Sequence, residues 1–134
     1  MLELTSLQKA VASLRDALDW YHREDSVVPR EILRDSVIQR FEYTYELAWK
    51  MTKRWLEINL GGGYVDGVSR KELFRLAAEN HLLQDPGTWF TYHEARNRTS
   101  HVYEEAAAEA VFKVIGDFHR DTSLLLAELE KRND

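Results

Sequence analysis

The sequence predicts an all-α fold: an antiparallel up-and-down bundle of four to five helices. Three observations carry this. Apolar residues recur at spacings of three and four over long segments. The two prolines and six glycines fall between most of these segments, not inside them. The connections are short, which places consecutive helices side by side and antiparallel.

The first helix is expected from Thr5 or Ser6 to about Tyr21. Leu7, Val11, Leu14, Leu18 and Tyr21 form one stripe, and Thr5 with Gln8 reads as a capping box. The polar segment His22–Ser26 ends the pattern. Pro29 suits the first turn of a second helix running to about Asn59. Its main stripe is Leu33, Val37, Phe41, Thr44, Ala48, Met51, Trp55 and Ile58, and a second stripe carries Ile38, Tyr45 and Trp49. A helix apolar on two sides needs two neighbours, within the bundle or across a dimer interface.

Gly61-Gly62-Gly63 stops that helix, because glycine accepts the left-handed conformation that follows a helix. Residues 61–68 read as a loop. Ser69 with Glu72 caps a short helix to about Asn80, with Leu73, Phe74, Leu76 and Ala77 inward. Asp85-Pro86 starts the next, anchored by Trp89, Phe90 and Tyr92 and running toward residues 96–100. The last begins near Glu104 or Glu105, where carboxylates suit the positive end of the dipole. Val111, Val114, Phe118, Thr122, Leu125 and Leu129 form its stripe. Gly116 is an interior blemish costing about 1 kcal/mol against alanine.

The 134 residues make a single expected domain, 1–134, long enough to bury a core. Aromatic residues are spread along the chain at 11%, which argues against disorder. No apolar run is long enough to span a bilayer, so no membrane association is expected. Residues 1–4 show no basic segment before an apolar stretch, so a cytoplasmic location is the default expectation. With no cysteine, a disulfide scaffold, a thiol nucleophile and a Cys-based metal site are excluded. The net charge of -5 argues against indiscriminate duplex binding but allows a small basic cleft.

No phosphate-binding glycine loop is present. His93-Glu94 opens like a zinc signature, but position 97 is Asn, and the five histidines lack ligand spacing. Neither a metal nor another cofactor is expected.

The densest polar cluster is Arg96-Asn97-Arg98-Thr99-Ser100-His101-Val102-Tyr103. Its residue types suit phosphate chemistry. Arginine grips phosphate oxygens with a planar fork, and histidine exchanges protons near neutral pH. A phenol can hold a phosphate or accept a modifying group. The competing reading is a solvated connection with Asn97, Thr99 and Ser100 as capping residues. On one unbroken helix Arg96 and Tyr103 share a face, whereas His101 lies about 140° from Arg96. Either the helix breaks near Thr99–Ser100, or a second protomer completes the site.

A second cluster lies on the long helix. Arg40, Glu42 and Glu46 either form a solvated face or line the same cleft as residues 96–103. Glu46 and Lys50 make a favourable helical pair. Arg70, Lys71 and Arg75 form a smaller basic group, read as a plain charged surface in preference to an RNA contact. The tryptophans 20, 49, 55 and 89 read as core or interface.

Arg96-x4-His101-x-Tyr103 resembles the motif of the HEPN superfamily. In particular it looks like the HepT-like branch, long described as nucleotidyltransferase substrate-binding proteins. The stretch from Arg34 to Lys50 is similar to that branch's second helix, so the likeness spans nearly the whole chain. The resemblance implies a homodimer whose two motifs face one cleft. It implies a metal-independent ribonuclease toxin of a toxin–antitoxin pair, acting on tRNA or mRNA. Arg96 and His101 would be catalytic, with Asn97 orienting the histidine or a phosphate oxygen; Arg40, Glu42 and Glu46 join them in support where the long-helix cluster lines the same cleft. It also implies a cognate small nucleotidyltransferase as antitoxin, which transfers AMP to Tyr103. The alternative is a non-catalytic nucleotide- or substrate-binding subunit of a two-component nucleotidyltransferase.

Overall fold

The computed structural model describes residues 2–133; Met1 and Asp134, the ends of the expected domain, lie outside the described residues. It contains α1 (Thr5–Tyr21), α2 (Arg30–Leu60), α3 (Gly62–Val65), α4 (Arg70–Glu79), α5 (Pro86–Arg98) and α6 (Glu105–Lys131), with a 3₁₀ turn at Thr99–His101. Among the described residues there is no strand, and no helix is long and apolar enough to cross a membrane.

The side-chain bonds fix the topology. Thr44 donates to the Ala10 carbonyl and Arg40 to the Ser13 carbonyl, so α1 and α2 run antiparallel. His119 pairs with the Val11 carbonyl and Gln8 with Glu130, which sets α6 antiparallel to α1. Tyr45 meets His93 and Glu42 meets Arg96, placing α5 antiparallel to α2. Helices α1, α2, α5 and α6 thus form an up-down-up-down bundle, and α4 packs on α5 and α2. The core centres on Phe118, ringed by Phe41, Trp89 and Tyr92 at centroid distances of 4.8, 5.9 and 5.2 Å.

Local signals explain most boundaries. Ser69 Oγ accepts from Glu72 N at 3.2 Å, and Asp85 Oδ1 accepts from Gly87 N at 2.9 Å. Each such cap stabilises its helix by about 1 kcal/mol. Gly61 ends α2 at φ 93°, a conformation that disfavours other residues. His81 takes φ 62° just after α4. Arg132 holds that turn, donating to the Asn80 and His81 carbonyls at 2.7 and 3.0 Å.

Several expectations are corrected. The Thr5–Gln8 capping box does not form: Leu4 occupies the N-cap position, and the Thr5 hydroxyl bonds Glu3 instead. Residues 62–65 make one helical turn where a loop was expected. Ile58 is 61% exposed and Trp20 49% exposed, so neither lies in the core of the chain.

Candidate functional site

The polar motif sits where α5 gives way to α6. Thr99 ties the junction down. It is buried, its Oγ1 donates to the Arg96 carbonyl at 2.7 Å, and it accepts from Arg96 Nη1 at 3.1 Å. The backbone tightens through the 3₁₀ turn and then extends at Glu104. The α-helical path therefore gives way at Thr99, where the break was expected, but residues 98, 99 and 102 keep helical dihedrals; among the described residues Arg96 pairs with Thr99, Glu42 and Glu46, and the ring beside His101 is that of Tyr103.

Arg96 reaches across to α2. Its Nε lies 3.3 Å from Glu46 Oε1, and its Nη1 lies 4.0 Å from Glu42 Oε2. The Nε contact is an ion pair without hydrogen-bond alignment, because the buried Nε has no aligned acceptor. Glu46 also accepts from Trp49 Nε1 at 3.1 Å. The guanidinium is thus braced on one side and partly open to water on the other. His101 is exposed, and Tyr103 is 79% exposed, with its ring 6.1 Å from the His101 ring. Arg34 supports the same end of the bundle through Glu105 on the first turn of α6, at 2.7 Å.

Arg40 does not join this cluster. It lies on the opposite side of α2 and donates to the Ser13 carbonyl of α1 at 2.7 Å. Its position is about 200° around the helix from Glu42, which forbids a shared face. Asn97 is exposed on α5, its carboxamide 3.5 Å from His93 Nε2.

Sequence reasoning missed an inner polar layer beneath Arg96. Tyr45 OH lies 2.8 Å from His93 Nδ1 and accepts from Arg70 Nη1 at 3.1 Å. The Arg70 guanidinium also stacks on Trp49, 3.6 Å from the ring centroid. Burial pushes the Tyr45 phenol up to about 12, with Arg70 opposing, so it stays protonated. Burial, aided by the nearby Arg70 charge, holds His93 below the usual histidine range. The sequence drew notice to His93 only as the start of a zinc signature that Asn97 breaks. Its place four residues before Asn97, on one helix face, was the available signal.

This layer has a consequence for stability. A histidine kept neutral in the fold binds its proton more readily when unfolded. Its contribution is full above the unfolded value of about 6.5 and is lost as pH falls through the folded value. The midpoint of thermal unfolding is expected to drop between pH 7.5 and pH 5.5, and to drop less in His93→Gln. An equal drop in both proteins would remove His93 from the cause.

Among the described residues no group of three His, Asp or Glu side chains is placed to hold a metal ion. A cavity of about 370 Å³ lies toward the other end of α5, lined in part by Leu82, Trp89, Asp121 and Leu125. A second, between α5 and α6, is lined in part by Asn97 and Arg98.

Residues 2–131 match the family model described as nucleotidyltransferase substrate binding protein like. A Haemophilus influenzae protein named "Probable ribonuclease HepT" is 35% identical over 129 residues, 96% of this chain and 87% of that protein. The solved structure of HI0074 from Haemophilus influenzae is described as revealing the fold of a substrate-binding domain of a nucleotidyltransferase. It superimposes with a TM-score of 0.84 at 32% identity, over 96% of this chain and 99% of that one. A solved structure from Thermus thermophilus gives a TM-score of 0.76 at 34% identity, over 92% and 98% of the two chains.

Proposed function

The chain belongs to the family of nucleotidyltransferase substrate binding protein like proteins, and from that premise we propose that it is a metal-independent ribonuclease. In this reading it is the toxin of a toxin–antitoxin pair, silenced when a cognate nucleotidyltransferase attaches AMP to Tyr103. The observation that carries the reading is the break at Thr99. It leaves a braced arginine, an exposed imidazole and an exposed phenol within one short stretch. The relative named for ribonuclease activity supports it.

The chemistry follows from residue types. The RNA 2′-hydroxyl attacks the adjacent phosphorus, giving a 2′,3′-cyclic phosphate and releasing the 5′-oxygen. One His101 takes the hydroxyl proton, and Arg96 stabilises the charge on the phosphorane. The 5′-oxygen needs a proton at the same time. In a homodimer with facing motifs, the second copy's His101 supplies it. Asn97 orients a phosphate oxygen or the imidazole. Glu42 and Glu46 hold Arg96 in place.

Silencing uses Tyr103. Its phenol oxygen attacks the α-phosphorus of ATP on the partner, and pyrophosphate leaves. The added phosphate repels RNA from a site built to hold phosphates. Tyr103→Phe is expected to cleave RNA within about two-fold of the wild type, since a side chain this exposed supports little structure. It should escape silencing by the active partner. Full silencing of Tyr103→Phe would move the modification elsewhere.

The second reading is a nucleotide-binding subunit without its own nuclease activity. The pairing of Arg96 with two carboxylates favours it, since they offset much of the arginine's charge. One experiment decides. Purified protein, shown by intact mass to lack AMP, is incubated in EDTA with total tRNA and with a long mRNA. His101→Ala is the control. Cleavage lost in the variant supports the ribonuclease; no cleavage by unmodified protein supports the binding subunit.

A further inference from the structure

Next to the motif, three cations of α4 and Lys50 of α2 lie on two half-buried rings, Phe90 of α5 and Trp49 of α2. Lys71 Nζ sits 5.6 Å and the Arg75 guanidinium 5.5 Å from the Phe90 centroid. Arg70 stacks on Trp49 at 3.6 Å, and Lys50 approaches the same ring at 5.8 Å. Phe90 and Asn97 are seven residues apart, so they share one face of α5 about 10 Å along its axis. The face therefore runs from Phe90 past His93 to Asn97, the motif residue beside Arg96. This concentration of positive charge stands out in a chain of net charge -5.

We propose that this α4–α5 face is a track for single-stranded RNA, binding the segment that flanks the cleaved phosphate. The proposal rests on the ribonuclease reading for its substrate. Two features select an unpaired strand. Cations beside aromatic rings offer each nucleotide a phosphate contact and a stacking surface together. The cations also gather over two separate rings, Lys71 and Arg75 on Phe90 and Arg70 and Lys50 on Trp49, and a base can stack on such a ring only when it is unpaired. The acids nearby do not cancel the charge. Glu72 pairs with Arg75 one turn away on the exposed surface of α4, where a phosphate competes readily, and Glu46 is committed to Arg96 and Trp49. Glu94 is exposed on α5 about 40° round the helix from Phe90, on the side away from His93, so the strand passes along the His93 side.

The test measures binding on the His101→Ala protein, which leaves RNA intact. A labelled unstructured RNA of about 20 nucleotides is titrated at several salt concentrations. Adding Lys71→Gln and Arg75→Gln should weaken binding ten-fold or more at low salt. It should also flatten the log–log salt dependence by about 1.4, the value for two lost phosphate contacts on a single strand. Phe90→Leu keeps the apolar packing but loses the π face, and should cost roughly five-fold or more on single-stranded RNA while leaving duplex binding unchanged. Both charge substitutions are on exposed residues, so an unchanged melting curve certifies the fold. Cleavage by the His101-containing protein is measured in parallel. If that protein cleaves RNA but the substitutions alter neither affinity nor salt slope, the track is wrong and the ribonuclease stands. If the substitutions weaken binding but no protein cleaves, the track stands and the ribonuclease falls. If no RNA binds at all, both fall.

Discussion

His101→Ala is expected to lower RNA cleavage by about 10²–10⁴-fold, the range that a positioned proton-transfer group supplies. The loss should appear in kcat, because the imidazole acts in the transition state and contributes little to holding RNA. His101 is a cleaner probe than Arg96. It is exposed on a 3₁₀ turn, so its truncation should leave stability within about 0.5 kcal/mol. Removing Arg96 would also release the Thr99 hydroxyl and leave Glu42 and Glu46 facing each other one turn apart. Single-turnover cleavage in EDTA, measured from pH 5 to 9 for both proteins, provides the check. Wild-type cleavage abolished by EDTA would overturn the metal-independent reaction, and variant cleavage within three-fold would remove His101 from it.

What was legible in the sequence is what depends on neighbours a few residues away. Ser69 and Asp85 cap their helices because side chain and target amide lie within three residues of each other. Thr5 fails by the same local pattern, since the burial of Leu4 in the core fixes the N-cap and Glu3 captures the hydroxyl. The double stripe of α2 was legible as a need for two neighbours, and α2 does pack between α1 and α6 on one side and α5 and α4 on the other. Its last turn was not legible. Ile58 continues the periodicity, but the chain places no helix over it, while Trp55 is covered by the Arg132 guanidinium at 5.3 Å.

The candidate site divides the same way. Arg96, Asn97, His101 and Tyr103 lie within eight residues, and the break among them follows from an angle that excluded one straight helix. Arg40 was placed by proximity in sequence to Glu42, although the helical angle between them already separated the two. The inner layer was out of reach. Tyr45, Arg70 and His93 come from three helices, 25 and 48 residues apart, and only the packed bundle brings them together. Periodicity marks Tyr45 as core, and nothing local tells that its hydroxyl has partners there.

Phe118→Ala is expected to cost about 3–5 kcal/mol, the largest stability loss of any substitution considered. Phe118 is fully buried and touches Phe41 and Tyr92 edge-on, with Trp89 and Tyr45 at 5.9 and 6.4 Å. Its removal leaves a cavity walled by four rings on two neighbouring helices, which cannot all collapse inward. A domain of this size is stable by about 5–15 kcal/mol, so the variant approaches the threshold of unfolding at ordinary temperature. Urea unfolding of the wild type, Phe118→Ala and Leu124→Ala gives the measurement. Leu124 lies on the same helix but is 61% exposed, so its truncation should change stability by less than about 0.5 kcal/mol. The effect should reach the site through Tyr45, which bonds His93 and leans on Phe118. Activity should therefore fall with stability in Phe118→Ala even at temperatures where the protein remains folded. A loss below about 1 kcal/mol would mean that the ring cluster repacks without Phe118 and that the bundle is centred elsewhere.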